Sequence, residues 1–182
     1  MKQARLHSER LILEPFGEDH IPTLSVMDMD PDVMRYIRPA SSNLIAAENR
    51  IRDILMRDDG QLGIWGLRDQ ESSIVIGMAI LRPLPDNSDI EVGYRLAKEH
   101  WGKGYATEAT TRLIYHGFAV LDLTDIVATF DAANTASRHV LEKCGLTDDG
   151  ITTAYHAAGT PRVRITRNRW LARDQAKLAA SS

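Results

Sequence analysis

Two apolar rhythms run along the chain, one repeating every three to four residues and one every two. Leu11 to Glu14 alternates as a short strand stopped at Pro15. Asp19 then stands where an N-cap belongs, ahead of a helix carrying Ile21, Leu24 and Met27 on one face. Asp30-Pro31 predicts a second short helix through Val33 and Ile37, because proline fits the first helical position. Asn43 caps a third, whose stripe is Leu44, Ala47, Ile51, Ile54 and Leu55. Strands follow: Leu62 to Leu67 and Ile74 to Leu81 flank the polar run 69–73 as a hairpin. After a loop with Pro83, Pro85, Asp86 and Asn87 comes a strand from Ile90 to Leu96. A helix from Ala106 to Phe118 turns Ala109, Leu113, Ile114 and Phe118 inward. Ile126 to Phe130 reads as a buried strand, and Ser137 to Lys143 as a short helix closed by Gly145. Two last strands, near Gly150 to Tyr155 and Val163 to Trp170, turn at Gly159, and the tail from about 175 to 182 is expected to fray.

Hairpins, then strand-helix-strand-helix, then a last hairpin make a mixed α/β sheet, neither a doubly wound fold nor a bundle. No repeat and no Pro-, Gly- or Ser-rich linker divides the 182 residues, so a single domain is expected over 1–182. The composition, 43% hydrophobic and 26% charged, is that of an ordinary globular protein. A net charge of -3 argues against a general nucleic-acid binder, which needs a basic surface. The one cysteine, Cys144, excludes an intrachain disulfide and fits a reducing compartment. The first apolar run, Leu11 to Leu13, is too short for a signal-peptide core, and no stretch is long enough for a membrane span. A soluble cytoplasmic protein is the expectation. The six histidines show no metal-ligand spacing, so no metal is expected.

The chemistry is concentrated in Glu91-Val-Gly-Tyr-Arg-Leu-Ala-Lys-Glu-His-Trp-Gly-Lys-Gly-Tyr-Ala-Thr-Glu-Ala109. A strand enters a loop with Gly102 and Gly104, and a helix begins at once. Such a loop aims unpaired backbone N–H groups and the positive end of a helix at one anion, and Lys103 adds charge. A pyrophosphate suits that cradle. A dinucleotide fingerprint would need glycine where Thr107 stands, and a Walker loop would need serine or threonine where Gly104 follows Lys103. The CoA-pyrophosphate pattern Gln/Arg-x-x-Gly-x-Gly/Ala matches at Gly104 and Ala106 and departs at Trp101.

With these residues the sequence resembles the GNAT superfamily of acyl-CoA-dependent N-acetyltransferases, and most nearly its RimJ/RimL-type ribosomal-protein branch. The resemblance covers nearly the whole chain: Ser8 to Leu13, Val92 to Leu96, Trp101 to Ala109, Asn134-x-x-Ser137, Leu141 to Leu146, and Trp170 in the last strand. It implies a mostly antiparallel sheet flanked by helices and splayed into a V between the strand ending at Leu96 and the strand 126–130. It implies acetyl-CoA as co-substrate, its pantetheine paired with backbone at Tyr94, Arg95 and Leu96. The pyrophosphate would sit on Gly102, Lys103, Gly104, Tyr105, Ala106 and Thr107, with Trp101 also binding the cofactor and Asn134 and Ser137 facing the pantetheine and thioester. The acceptor would be a primary amine, of a protein N-terminus or of a small molecule; the assembly could be a homodimer.

Two side chains are candidates for proton chemistry. Glu91 shares a strand face with Gly93 and Arg95, where many family members keep an acid that deprotonates the amine. An ion pair would explain the same residue equally well. Ser137 is the candidate donor to the leaving thiolate, since the tyrosine many relatives use four residues later is Leu141 here. Tyr105 or water could take that part, or no acid is needed, because a thiol is a fair leaving group. The absent tyrosine keeps open a non-catalytic acyl-CoA sensor, and a nucleotide-phosphate binder is a third reading.

Overall fold

Strands with apolar residues on both faces require cover on both sides, and the helices supply it. The computed structural model describes residues 3–56, 62–86 and 88–180, of which 174 and 176–180 by backbone alone. The loop position Asn87 and the last two residues of the tail lie outside the described residues. Among the described residues eight strands form one sheet in the order β1-β2-β3-β4-β5-β6-β8-β7. They are β1 (Leu6–His7), β2 (Leu11–Pro15), β3 (Gly63–Asp69), β4 (Val75–Pro83), β5 (Ile90–Leu96), β6 (Asp125–Thr129), β7 (Thr147–Thr152) and β8 (Thr160–Thr166). Every neighbouring pair is antiparallel except β5 and β6, which run parallel.

The alternation along the strands divides the core in two. Trp65, Leu67, Ala79, Leu81, Val92 and Leu96 turn to one face and meet Ala109, Leu113, Ile114 and Phe118 of helix α4 (Tyr105–Ala119). Ile64 and Met78 turn to the other face and meet helices α1 (Ile21–Met29) and α3 (Leu44–Leu55) through Ile21, Leu24, Met27 and Ile51. The expected stripe of α4 is therefore the buried one. In α3 the stripe holds at Ala47 and Ile51, while Leu44 at its start is half exposed.

The caps explain where the helices begin. Asn43 accepts from the Ala46 N–H, and Asp30 accepts from Asp32 and Val33 at the start of helix α2 (Pro31–Met34). Helix α2 ends at Met34, short of Ile37. Asp19 is not an N-cap: it lies in a 3-10 turn, Glu18–His20, and its carboxylate meets Arg68 and His20. Asn134 accepts from Ser137 N–H at the start of helix α5 (Thr135–Cys144), and left-handed Gly145 closes that helix. The last elements differ most from the pattern. Strand β7 starts at Thr147, and β8 stops at Thr166, so Trp170 lies in helix α6 (Arg167–Ala180), not in a strand. Its ring packs on Tyr115 and Phe118 of α4. The backbone expected to fray from about 175 continues as the end of α6.

Candidate functional site

Strands β5 and β6 pair at Glu91 and Val127 and then part. From Val92 onward β5 keeps β4 on one side, while its other edge faces a gap. In that gap lies a cavity of about 500 Å³. Its walls are Val92 to Leu96 of β5, Ala128 to Phe130 on the β6 side, and Asn134, Ser137, Val140 and Leu141 at α5. Trp101, Gly102 and Ala106, with Val33 and Ile37, complete the lining. An extended chain with amide groups could pair with the open β5 edge as an added strand would.

The glycine loop is held from outside by the amino-terminal segment. Arg10 donates from Nε to Glu108 at 2.8 Å and from Nη1 to the Lys103 carbonyl at 2.9 Å, and it lies over the Tyr105 ring. Ser8 donates to the same Glu108 carboxylate at 2.8 Å. The Ser8-Glu9-Arg10 run thereby fixes the start of α4. Gly102 and Gly104 have φ of +72° and +86°, the left-handed region that favours glycine. A Cβ on Gly102 would meet nothing within 4 Å, so its bare backbone faces open space. Gly104 is the N-cap of α4, and the N–H groups of Tyr105, Ala106 and Thr107 have no partner within the helix. The loop therefore suits the phosphates of CoA, and the cavity leading from it suits pantetheine.

The candidate residues divide by what they touch. Trp101 is 45% exposed, lines the cavity and donates from its indole to the Leu96 carbonyl at 2.9 Å. That carbonyl is thus engaged already. Arg95 turns its guanidinium away, into a buried bond with Asp28 at 3.2 Å, and leaves only backbone to a cofactor. Tyr105 donates to Asp69 at 2.8 Å, so its hydroxyl is fixed outside the cavity and is no candidate acid. Two hydrogen bonds from Ser72 and that tyrosine hold the Asp69 carboxylate down at about 2.

On the wall of the cavity Tyr94 donates to Ser137 Oγ at 3.4 Å. Burial pushes the Tyr94 phenol up to about 12, which keeps it a neutral donor. The sequence pointed to Tyr94 for its backbone alone. Strand alternation, which puts it on the face opposite Glu91 and Arg95, was the available signal for its side chain.

Glu91 is 4% exposed and lines neither this cavity nor the one beyond β5. It accepts from the Tyr155 hydroxyl and, at 3.3 Å, from Arg82 Nε. Burial raises its pKa above the usual carboxylate value, against the lowering pull of Tyr155 and Arg82. Neither partner was evident in the sequence, since Tyr155 comes from the distant loop between β7 and β8. Among the described residues Glu14, Asp19 and His20 bring three possible ligand atoms within 4.8 Å of one another. Arg68 already occupies that cluster, bound to Glu14 at 2.7 Å and Asp19 at 2.9 Å. Among the described residues no helix is long and apolar enough to cross a membrane.

Comparison with known proteins gives the family and the fold. Residues 10–147 match the family described as acetyltransferase (GNAT) domain. The chain is 29% identical over 201 residues to the FsC-acetyl coenzyme A-N(2)-transacetylase of Aspergillus fumigatus, covering 98% of this chain and 83% of that one. Its fold is similar to a GCN5-related N-acetyltransferase from Brucella melitensis, with TM-score 0.80 and 21% identity over 98% of this chain and 86% of that one. It is also similar to RimL, a ribosomal L7/L12 alpha-N-protein acetyltransferase solved with coenzyme A, with TM-score 0.72 and 16% identity over 87% and 95%. The chain belongs to the GNAT superfamily of acetyl-CoA-dependent N-acetyltransferases.

Proposed function

We propose that this protein, acting as one domain, transfers the acetyl group of acetyl-CoA to a primary amine by direct attack. The acceptor is the amine of a small molecule or of a protein N-terminus. The observation that carries this reading is the 500 Å³ cavity in the parted sheet, lined by Gly102 of the bare glycine loop and by the hydrogen-bonded pair Tyr94 and Ser137. A cofactor with its phosphates on the loop and its pantetheine in the cavity would bring its thioester beside those two hydroxyls.

The neutral amine attacks the thioester carbonyl, and an N–H of β5 near Tyr94 stabilises the oxygen as it gains charge. The C–N bond forms, the C–S bond breaks, and the sulfur leaves as thiolate. Ser137 accepts a hydrogen bond from Tyr94, which leaves its own O–H free to donate to that sulfur. The amine loses one proton, which passes to Glu91 by way of Tyr155 or water, since Glu91 is too enclosed to touch the amine itself. A carboxylate raised by burial is a better proton acceptor near neutral pH than an ordinary one. The thiolate gains one proton, and the products are the amide and CoA.

A second reading, an acyl-CoA-binding module without turnover, draws on Leu141, which is buried where a tyrosine would have faced the sulfur. Incubation of the protein with acetyl-CoA and a panel of amines and N-terminal peptides separates the two. Amine-dependent release of CoA supports transfer. Saturable binding of acetyl-CoA with no release above buffer supports the module.

A further inference from the structure

A second cavity, of about 390 Å³, opens on the other side of β5. Tyr94 and Arg95 line both cavities, so an occupant of the second lies against the strand that separates it from the thioester end of the first. Among the described residues four arginines stand on its wall: Arg38, Arg50, Arg82 and Arg95. Arg82 is bonded to Glu91, and the other three converge on a single carboxylate.

That carboxylate, Asp28, is fully buried and fully used. Its Oδ1 accepts from Arg38 at 2.7 Å and Arg95 at 3.2 Å. Its Oδ2 accepts from Ser41 at 2.5 Å and Arg50 at 3.3 Å. One negative charge therefore serves three positive ones. Arg95 is buried, and its remaining bonds go to the sulfurs of Met34 and Met78. Arg38 and Arg50 differ: their side chains are 30% and 38% exposed, and each guanidinium has donors left after Asp28. Among the described residues the one acidic side chain lining this wall is Asp53, which is exposed. Burial lowers the pKa of Arg38 against the raising pull of Asp28, and the neighbouring Arg50 adds to the lowering. The rest of the wall is aliphatic, with Ile54, Met78 and Ile80.

We propose that the second cavity is the acceptor seat, and that the acceptor is a small aliphatic amine bearing a carboxylate, which Arg38 and Arg50 bind. The carboxylate completes the charge that Asp28 leaves unmatched, in the forked geometry guanidinium groups favour. The aliphatic part lies against Ile54, Met78 and Ile80, and the amine is directed toward Tyr94. This rests on the transferase reading above for the amine, though the anion seat stands on the arginines alone.

The test uses the full chain and two isosteric probes, 4-methylpentanoate and its amide, titrated by calorimetry with acetyl-CoA binding measured beside them. The carboxylate is expected to bind at least tenfold more tightly than the amide. Arg50→Gln and Arg38→Gln should each remove that preference while leaving acetyl-CoA affinity unchanged. Asp28 keeps Ser41 and two guanidinium partners in either variant, and an unchanged melting temperature verifies the fold. In the turnover arm L-leucine should exceed L-leucinamide in kcat/KM. A carboxylate that fails to bind, or that binds no better than the amide, overturns the seat. So does a preference that survives both substitutions. Equal turnover of leucine and its amide overturns the substrate class alone. Failure of acetyl-CoA itself to bind would bring down the transferase reading, whatever the carboxylate does.

Discussion

Replacing Gly104 by glutamate sets a charge in the proposed pyrophosphate seat, and the structure allows its two effects to be separated. The first is strain: φ is +86°, where an L-residue costs roughly 1–2 kcal/mol. A Cβ there stands 3.3 Å from Arg10 Nη2, near enough for the new carboxylate to pair with that guanidinium. An exposed pair of this kind returns about 0–1 kcal/mol, so the net loss of stability is about 1 kcal/mol, or roughly 2–4 °C in Tm. The second effect is repulsion. A unit charge about 5 Å from a phosphate costs roughly 1–3 kcal/mol for effective dielectric constants of about 80 down to 20. Acetyl-CoA should therefore bind roughly 5- to 150-fold more weakly. Calorimetric titration gives the dissociation constant, and circular dichroism with thermal melting gives the fold. Gly104→Ala is the control: it carries the same strain without the charge or the Arg10 pair, so its melting change should equal or slightly exceed the glutamate variant's while it loses less affinity. A dissociation constant within twofold of the parent's, with the fold intact, refutes the cradle. Equal damage from alanine refutes the charge argument.

Ser137→Ala should lower kcat by roughly 10- to 100-fold with little change in acetyl-CoA affinity, because a bond to sulfur strengthens as charge builds on it; an unchanged kcat at saturation removes Ser137 from the mechanism. Tyr94→Phe, which deletes the donor 3.4 Å from Ser137, should have a smaller effect in the same direction, and none when added to Ser137→Ala. In the parent enzyme kcat/KM should fall as pH drops through the raised pKa of Glu91, because only its ionised form accepts a proton. Glu91→Gln should flatten that limb, with its loss of activity greatest above the raised pKa, where the parent's carboxylate is ionised, and smallest below it; superimposable pH profiles would leave Glu91 a buried ion-pair partner. Asp69→Ala should cost about 1–3 kcal/mol at pH 7. Since the folded pKa of Asp69 is depressed from 3.8 to about 2, that stability is present above 3.8 and lost as pH falls toward 2. Denaturant melts of both proteins should therefore converge over that interval.

The helices and strands that sequence pattern located well are those whose local signals agree with their packing. Asn43 and Asn134 cap helices where they stand, and the stripe Ala109, Leu113, Ile114 and Phe118 of α4 lies wholly in the core. The pattern fails where a distant contact decides. Asp19 resembles a cap, but Arg68 from β3 and His20 claim its carboxylate. Residues 163–170 resemble one strand, but Arg167 turns the chain by bonding the Leu123 and Phe118 carbonyls, and Trp170 then packs on α4 from a helix. Strand β1 has two residues and exists through its pairing with β2. The same division holds at the site. The glycine loop was legible because its shape is set by consecutive residues, with Gly102 and Gly104 both left-handed. The side-chain partners of Tyr94, Glu91 and Arg95 come from α5, the β7–β8 loop and α1, and no spacing rule links them.

The measurement that bears most directly on the central claim is release of free CoA thiol from acetyl-CoA, followed with and without an amine acceptor. Mass spectrometry of the acceptor runs beside it. An N-acetyltransferase should release CoA only when the amine is present, in equal amount to the acetylated product. Acetyl-CoA that binds saturably but is never consumed, with every amine and peptide recovered unmodified, would contradict the account.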